Sequence, residues 1–279
     1  MHTIQNEKPM SLPVRHRVLL WKAIALWLGM SGLCLAHPAQ ATEKFVFAAA
    51  ANTVDTLTSE VVVREAYRRL GIEVQIRKYP GERALKLANS GQVDGDVQRI
   101  DALSRKYENL IQLRPAINYI EAAAFSRDTT IAINNWDGLR PYSLGIIRGI
   151  KFAENNTRGM RTYVAKNYAG LFRMLEGKRV ELAISPSLNG RYQMTILGIK
   201  GIIELKPSIS RFDLFHYIHK KHANLKPKLE TVFRKMKTSG ELSRIREHVI
   251  SVLLARAGKG QGICDKDYKC LEQGLNLTD

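Results

Sequence analysis

The densest cluster of side chains able to do chemistry is His216-Tyr217-Ile218-His219-Lys220-Lys221-His222. Three histidines in seven residues could hold a transition metal. On a strand, however, residues three apart face opposite sides, and two lysines stand between His219 and His222. Ligands that must converge on one ion are poorly served by that pattern, so solvated histidines at a strand end are expected. Ser185-Pro186-Ser187 follows the apolar run 180–184, a place where a nucleophile could stand. No base lies near it in sequence, and a polar loop donating hydrogen bonds is expected there. The chain has no G-x-S-x-G, H-E-x-x-H, G-x-x-x-x-G-K-[ST] or G-x-G-x-x-G pattern. A protein that is not an enzyme, with no metal or cofactor, is the reading these residues favour.

The remaining candidates are polar residues at the ends of predicted strands, and the elements that place them alternate along the chain. Residues 44–50 read as a buried strand. Asp55 or Thr56 caps a helix running to Leu70, with Val62, Ala66 and Leu70 on one face, and Gly71 stops it. Residues 72–76 alternate as a strand does, Pro80-Gly81 leads into a helix over 82–89, and 93–97 is the next strand. A second series follows, with strands over 142–147, 162–165 and 180–184 and helices over 150–155 and 168–176. Strands separated by helices imply parallel βαβ units. The segment 87–94 (LANSGQVD) is echoed by 175–181 (LEGKRVE), each a helix end, a glycine and a strand opening Val-acid. The echo suggests two similar α/β lobes rather than one continuous sheet. Amphipathic helices over 225–236 and 240–255 close the chain.

In open α/β sheets ligands bind beyond the carboxyl ends of the strands. Those ends carry Asn52, Lys78 and Tyr79, and Asp96 with Arg99 in the first half, and Arg148, Gly149, Ile150, Ser185 and Ser187 in the second. Arg99 and Arg148 could each grip a carboxylate through paired hydrogen bonds. Asp96 could meet a ligand ammonium or Arg99, and Tyr79 could stack on a ligand or fill an edge. If the arginines bind ligand, Arg99→Ala and Arg148→Ala should each weaken binding by about 1.5–3 kcal/mol without lowering the melting temperature of the empty protein.

Length and charge set the compartment and the class. The 279 residues carry 43 Lys+Arg against 26 Asp+Glu, 45% apolar and 25% charged, a globular composition. Arg15, Arg17 and Lys22 lead into the apolar run 23–36, followed by Ala39-Gln40-Ala41. This pattern reads as a cleavable secretory signal over 1–41 and a periplasmic mature protein; an uncleaved anchor is the alternative. Cleavage would leave 238 residues at a net charge of +14 and two cysteines, Cys264 and Cys270. In an oxidising compartment they are expected to pair and staple a tail. Basic residues are spread over helices without interleaved aromatics, so no nucleic-acid partner is expected.

The chain resembles the extracytoplasmic solute-binding proteins of the amino-acid-type family, family 3, which serve ABC importers. The resemblance rests on Gly81-Glu82-Arg83-Ala84-Leu85 running to Gly91-Gln92-Val93-Asp94-Gly95-Asp96, on Trp136-Asp137-Gly138-Leu139 leading to Arg148-Gly149, and on 215–222 followed by Leu229 to Ser239-Gly240-Glu241-Leu242. It implies a type II periplasmic-binding fold, with lobe 1 from 42–126 and 209–279, lobe 2 from 127–208, and hinges near 125–128 and 208–213. It also implies a monomer that traps a small polar solute and hands it to a membrane permease, with Arg99 or Arg105 nearest the place of a carboxylate-binding arginine. A sensor that reports to a chemoreceptor or a kinase is the alternative output, and an exported enzyme on the same scaffold a further one. Where family members place an acid for the ligand amino group, this chain has Ser185-Pro186-Ser187. Where they often carry an aromatic after the first strand, it has Asn52-Thr53-Val54.

Overall fold

A computed structural model describes residues 44–50, 53–101, 103, 106–263 and 269–275. The expected signal segment, Asn52, Arg105 and Cys264 lie outside the described residues, and with Cys264 the expected disulfide.

β1 (Lys44–Ala50) alternates as a strand buried on both faces must, with Phe45, Phe47 and Ala49 in one core and Ala48 in another. Parallel to it on one side runs β2 (Glu73–Tyr79), and on the other β3 (Gly95–Ile100). The crossovers are α1 (Val54–Arg68) and α2 (Gly81–Asn89). Thr53, rather than Asp55 or Thr56, caps α1, its hydroxyl accepting from the Thr56 N–H at 3.2 Å. The second half repeats the plan. β6 (Leu144–Ile147) is flanked by β7 (Thr162–Ala165) and β8 (Leu182–Pro186), all parallel, with α3 (Lys151–Asn156) and α4 (Tyr168–Glu176) as crossovers. The strand order β2-β1-β3 thus recurs as β7-β6-β8.

Two long strands join the halves. β5 (Asn118–Ser126) and β10 (Ser210–His219) pair antiparallel from Ser210↔Ala122 to Leu214↔Asn118. Beyond that stretch β10 pairs with β3 and with β4 (Leu110–Gln112), and β5 with β8 and β9 (Ile203–Glu204). The two halves expected from the echo are present, but the expectation that no continuous sheet joins them is corrected. The ladder runs unbroken through β3-β10-β5-β8 because each crossing strand is long enough to pair in one half and with its neighbour.

The apolar cores nevertheless segregate. Phe45, Phe47 and Tyr67 pack with Phe233 of α6 (Lys226–Thr238) and Val249 of α7 (Glu241–Gly258), whereas Phe152, Leu144 and Ile184, and separately Phe125, Phe172 and Leu175, fill the second half. The exception is α5 (Ser187–Ile196), whose Leu188 and Tyr192 belong to the first core. A short α8 (Lys269–Glu272) brings Leu271 onto that core. No helix among the described residues is long and apolar enough to cross a membrane.

The sequence echo has a structural counterpart. After α2 the left-handed residue is Gly91 (φ 75°), and after α4 it is Lys178 (φ 57°) rather than Gly177. Counted from the helix ends, the two segments align without an offset, and their acids do the same job. The Asp94 carboxylate accepts from the Val46 N–H at 2.7 Å, and the Glu181 carboxylate from the Ser143 N–H at 2.7 Å. Each ties the opening of a third strand to the opening of the first.

The histidine cluster is not solvated as expected. His216 is fully buried, its Nδ1 donating to the Val97 carbonyl at 3.2 Å and its Nε2 accepting from the Tyr67 hydroxyl at 3.1 Å. Half-buried His222 bonds Asp94 at 2.7 Å. Among the described residues no group of three His, Cys, Asp or Glu could hold a metal ion. Burial pushes the His216 ring down to about 4, below the ordinary histidine value of about 6.5. The unfolded chain then binds a proton that the folded one refuses, so this residue's contribution to stability is lost as pH falls from about 6.5 toward 4. In urea titrations, His216→Phe should be less stable at pH 7 yet lack that part of the acid slope; an unchanged slope would show that His216 does not titrate on unfolding.

Candidate functional site

The carboxyl ends of β1, β3, β6, β7 and β8 open onto one cavity of about 410 Å³, within the range of small-molecule sites. Ala50, Gln98, Arg99 and Ile100 line it from the first half, and Gly149, Ile150, Phe152, Tyr168 and Asn189 from the second. A groove of about 730 Å³ bounded by Arg64, Arg68, Glu73 and Glu272 lies apart from these strand ends, and the strand-end rule favours the inner cavity.

Where the two halves meet, α5 is tied to the start of α1. The Asn189 side-chain oxygen accepts from the Val54 N–H at 2.7 Å, while its amide donates to the Asp55 carboxylate at 2.7 Å. Asn189 thereby satisfies an otherwise free donor at a helix N-terminus. Asp55 is buried, 3.7 Å from the Arg246 guanidinium of α7. Burial pushes its carboxyl up to about 6, although Arg246 and Asn189 pull it the other way. Arg246 also donates to the Asn118 side chain at 2.5 Å and to the Tyr119 carbonyl at 3.1 Å, and lies over the Tyr119 ring at 4.0 Å. Asn118 in turn donates to the Asp55 carbonyl at 2.9 Å and to Ser59 at 3.1 Å. The buried network joins α1, β5, α5 and α7 beside the cavity.

Arg99, Gly149 and Ile150 are the sequence candidates that line the cavity. Arg99 is bound to Asp96 at 2.7 Å and to the Gly81 carbonyl at 3.2 Å, while its Nε is buried without a hydrogen-bond partner. Asp96 is fully buried; burial raises its carboxyl pKa against the opposing pull of Arg99. It is the partner of Arg99 and does not line the cavity. Gly149 has φ 87°, and its N–H donates to Glu154 at 2.6 Å.

The other candidates turn elsewhere. Arg148 is exposed and away from the lining. Tyr79 sits beneath the Arg83 guanidinium at 5.7 Å, and Lys78 pairs with buried Glu60. Ser185 donates to the Pro186 carbonyl at 2.9 Å and Ser187 to Glu204 at 2.7 Å. The expected polar loop there is instead the end of β8 and the first turn of α5.

Sequence reasoning missed Tyr168, Asn189 and Arg246. Asn167, which caps α4 by accepting from the Gly170 N–H at 2.8 Å, was a readable signal placing Tyr168 at a strand's carboxyl end. Asn189 and Gly190 both lie in α5. Gly190 stands there because α5 lies so close to β5 that a Cβ would come within 2.5 Å of the Phe125 ring. Gly190→Ala should push α5 outward and loosen the Asn189 bonds, lowering stability by about 1–3 kcal/mol; denaturant titration at wild-type level would show that the ring simply yields.

No family model matches the chain. A protein of Shewanella oneidensis strain MR-1, described only as uncharacterised, is 26% identical over 200 residues, spanning 68% of this chain and 74% of that one. Solved structures align over most of the chain. A histidine kinase sensor domain with similarity to periplasmic binding proteins superposes with a TM-score of 0.61 at 15% identity, covering 74% of this chain and 95% of its own. The amino acid ABC transporter substrate-binding protein AbpA of Streptococcus pneumoniae, bound to L-arginine, gives 0.60 at 14%, covering 76% and 96%. The GluR0 ligand-binding core with L-glutamate gives 0.63 at 11%, covering 75% and 99%. The fold is accordingly the two-lobed, periplasmic-binding-protein-like α/β fold.

Proposed function

We propose that the chain is an extracytoplasmic ligand-binding protein that encloses a small solute in the cavity between its two lobes. The observation that carries this reading is the cavity itself: strand ends from both halves face it, and Arg99 brings a guanidinium with a buried, unpartnered Nε to its wall. A ligand that bridges the halves favours the closed arrangement by its differential affinity for it. The 1–41 secretory signal, the lobe limits at 42–126 with 209–279 and at 127–208, and the Cys264–Cys270 staple belong to this proposal. So do the monomeric state and the site formed by Arg99, Gly149 and Ile150. Delivery to the permease of an ABC importer is the output drawn from the family resemblance. A sensor output is the second reading, favoured by the similarity to a histidine kinase sensor domain.

A thermal-shift screen of the 42–279 chain against amino acids, opines, polyamines and small carboxylates tests the binding reading. At least one class should raise the melting temperature in a saturable way. A flat response across all classes would overturn it.

A further inference from the structure

We infer, resting on that reading of the cavity, that the ligand is a small carboxylate with an apolar body and no α-ammonium group, and that the Tyr168 hydroxyl donates a hydrogen bond to its carboxylate. Two side chains lining the cavity have buried polar atoms without a hydrogen-bond partner, the Arg99 Nε and the Tyr168 hydroxyl. They come from opposite halves, β3 and the start of α4. Buried polar groups are nearly always satisfied, and a lone exception asks for a missing partner. Here two such residues line one cavity, and an N–H and an O–H both call for an acceptor. Burial and the charge of Asp55 both raise the Tyr168 pKa, so the phenol keeps its proton and serves as a donor.

The body of the ligand follows from the wall. Ile100, Leu103, Ile120, Phe152 and Leu214 present an apolar surface between the polar groups. An α-ammonium would need acceptors, because a buried cation without them is strongly disfavoured. The two acids of the cavity already have partners: Asp55 is bound by Asn189 and lies beside Arg246, and Glu82 accepts from the Tyr107 hydroxyl at 2.9 Å and from Lys106 at 3.5 Å. Lys106 and Lys151, also on the lining, are paired with Glu82 at 3.5 Å and with Glu154 at 2.8 Å. A ligand ammonium would have to share acceptors already in use, whereas the Arg99 Nε and the Tyr168 hydroxyl are left for an anion.

Calorimetric titrations with matched probes decide the matter: 3-phenylpropionate and 4-methylpentanoate, their amino acid counterparts L-phenylalanine and L-leucine, and the neutral 3-phenylpropanamide. At least one carboxylate should bind, about tenfold or more tighter than its α-amino and amide analogues. Tyr168→Phe should weaken that carboxylate about tenfold while leaving the melting temperature of the free protein unchanged or higher, since an unpaired hydroxyl is removed. Tighter binding of the amino acids, no binding of either carboxylate at millimolar concentration, or an unaffected Tyr168→Phe variant would each overturn the inference. Failure of the cavity reading looks different: no class in the broader screen stabilises the protein at all.

Discussion

Arg99→Ala is expected to lower the free energy of unfolding by about 3–5 kcal/mol, the loss typical of stranding one member of a buried ion pair. The carboxylate left behind is Asp96, which has no exposed surface and receives its 2.7 Å contact from Arg99. From sequence, Arg99 could be removed at no expense to the empty protein; the geometry says otherwise, because the side chain supports β3 as well as facing the cavity. The cycle with Asp96→Asn separates the two roles. If the pair is the cause, the double variant should recover much of the loss, while any ligand effect of Arg99→Ala should persist. Urea titration at pH 7 provides the measurement, and a single variant as stable as wild type would show that the pair contributes little.

Arg246→Ala should be comparably damaging at pH 8, by about 3 kcal/mol, and distinctly less so at pH 5. Arg246 is the cation facing Asp55, whose other neighbours are the Asn189 amide and the buried Tyr168 phenol. With the folded carboxyl pushed up to about 6 from 3.8, the folded state binds the proton more tightly than the unfolded one. This residue's contribution is thus fully present below about pH 3.8 and lost as pH rises through about 6. Removing Arg246 strands the Asn118 side-chain oxygen at either pH, and adds the cost of an uncompensated carboxylate where Asp55 must be ionised. Equal losses at pH 5 and pH 8 would mean that Asp55 does not change protonation over that interval.

The parallel elements of both halves were legible because each carries its own punctuation. Gly71 and Gly91 end helices with left-handed turns, Phe45 and Phe47 alternate, and Asp94 and Glu181 mark matching strand openings. The two crossing strands were harder to read: β5 and β10 owe their lengths to pairing with β8, β9, β3 and β4, distant partners that leave no local pattern. The candidate site was legible at its strand ends, which picked out Arg99, Gly149 and Ile150. It was illegible wherever a residue's job is set across the cavity. Asn189 bonds α1 from 135 positions away, Arg246 reaches Asn118 from α7, and Ser185 and Ser187, though at a strand end, spend their hydroxyls on Pro186 and Glu204. The buried His216 was misread for a related reason, since Tyr67 and Val97 satisfy its ring from elements far off in the chain.

The measurement that bears most directly on the central claim is the affinity of the most stabilising solute for Ile150→Trp beside the wild type, by calorimetry. Ile150 is half-buried on the cavity wall, at the margin of the second half's apolar clusters, so an indole there fills the space without replacing a fully buried residue. If solute binds between the lobes, the variant should keep its ligand-free melting temperature and lose binding by about a hundredfold or more, equivalent to roughly 2.7 kcal/mol. Wild-type affinity in a well-folded Ile150→Trp protein would place the ligand elsewhere and contradict the account.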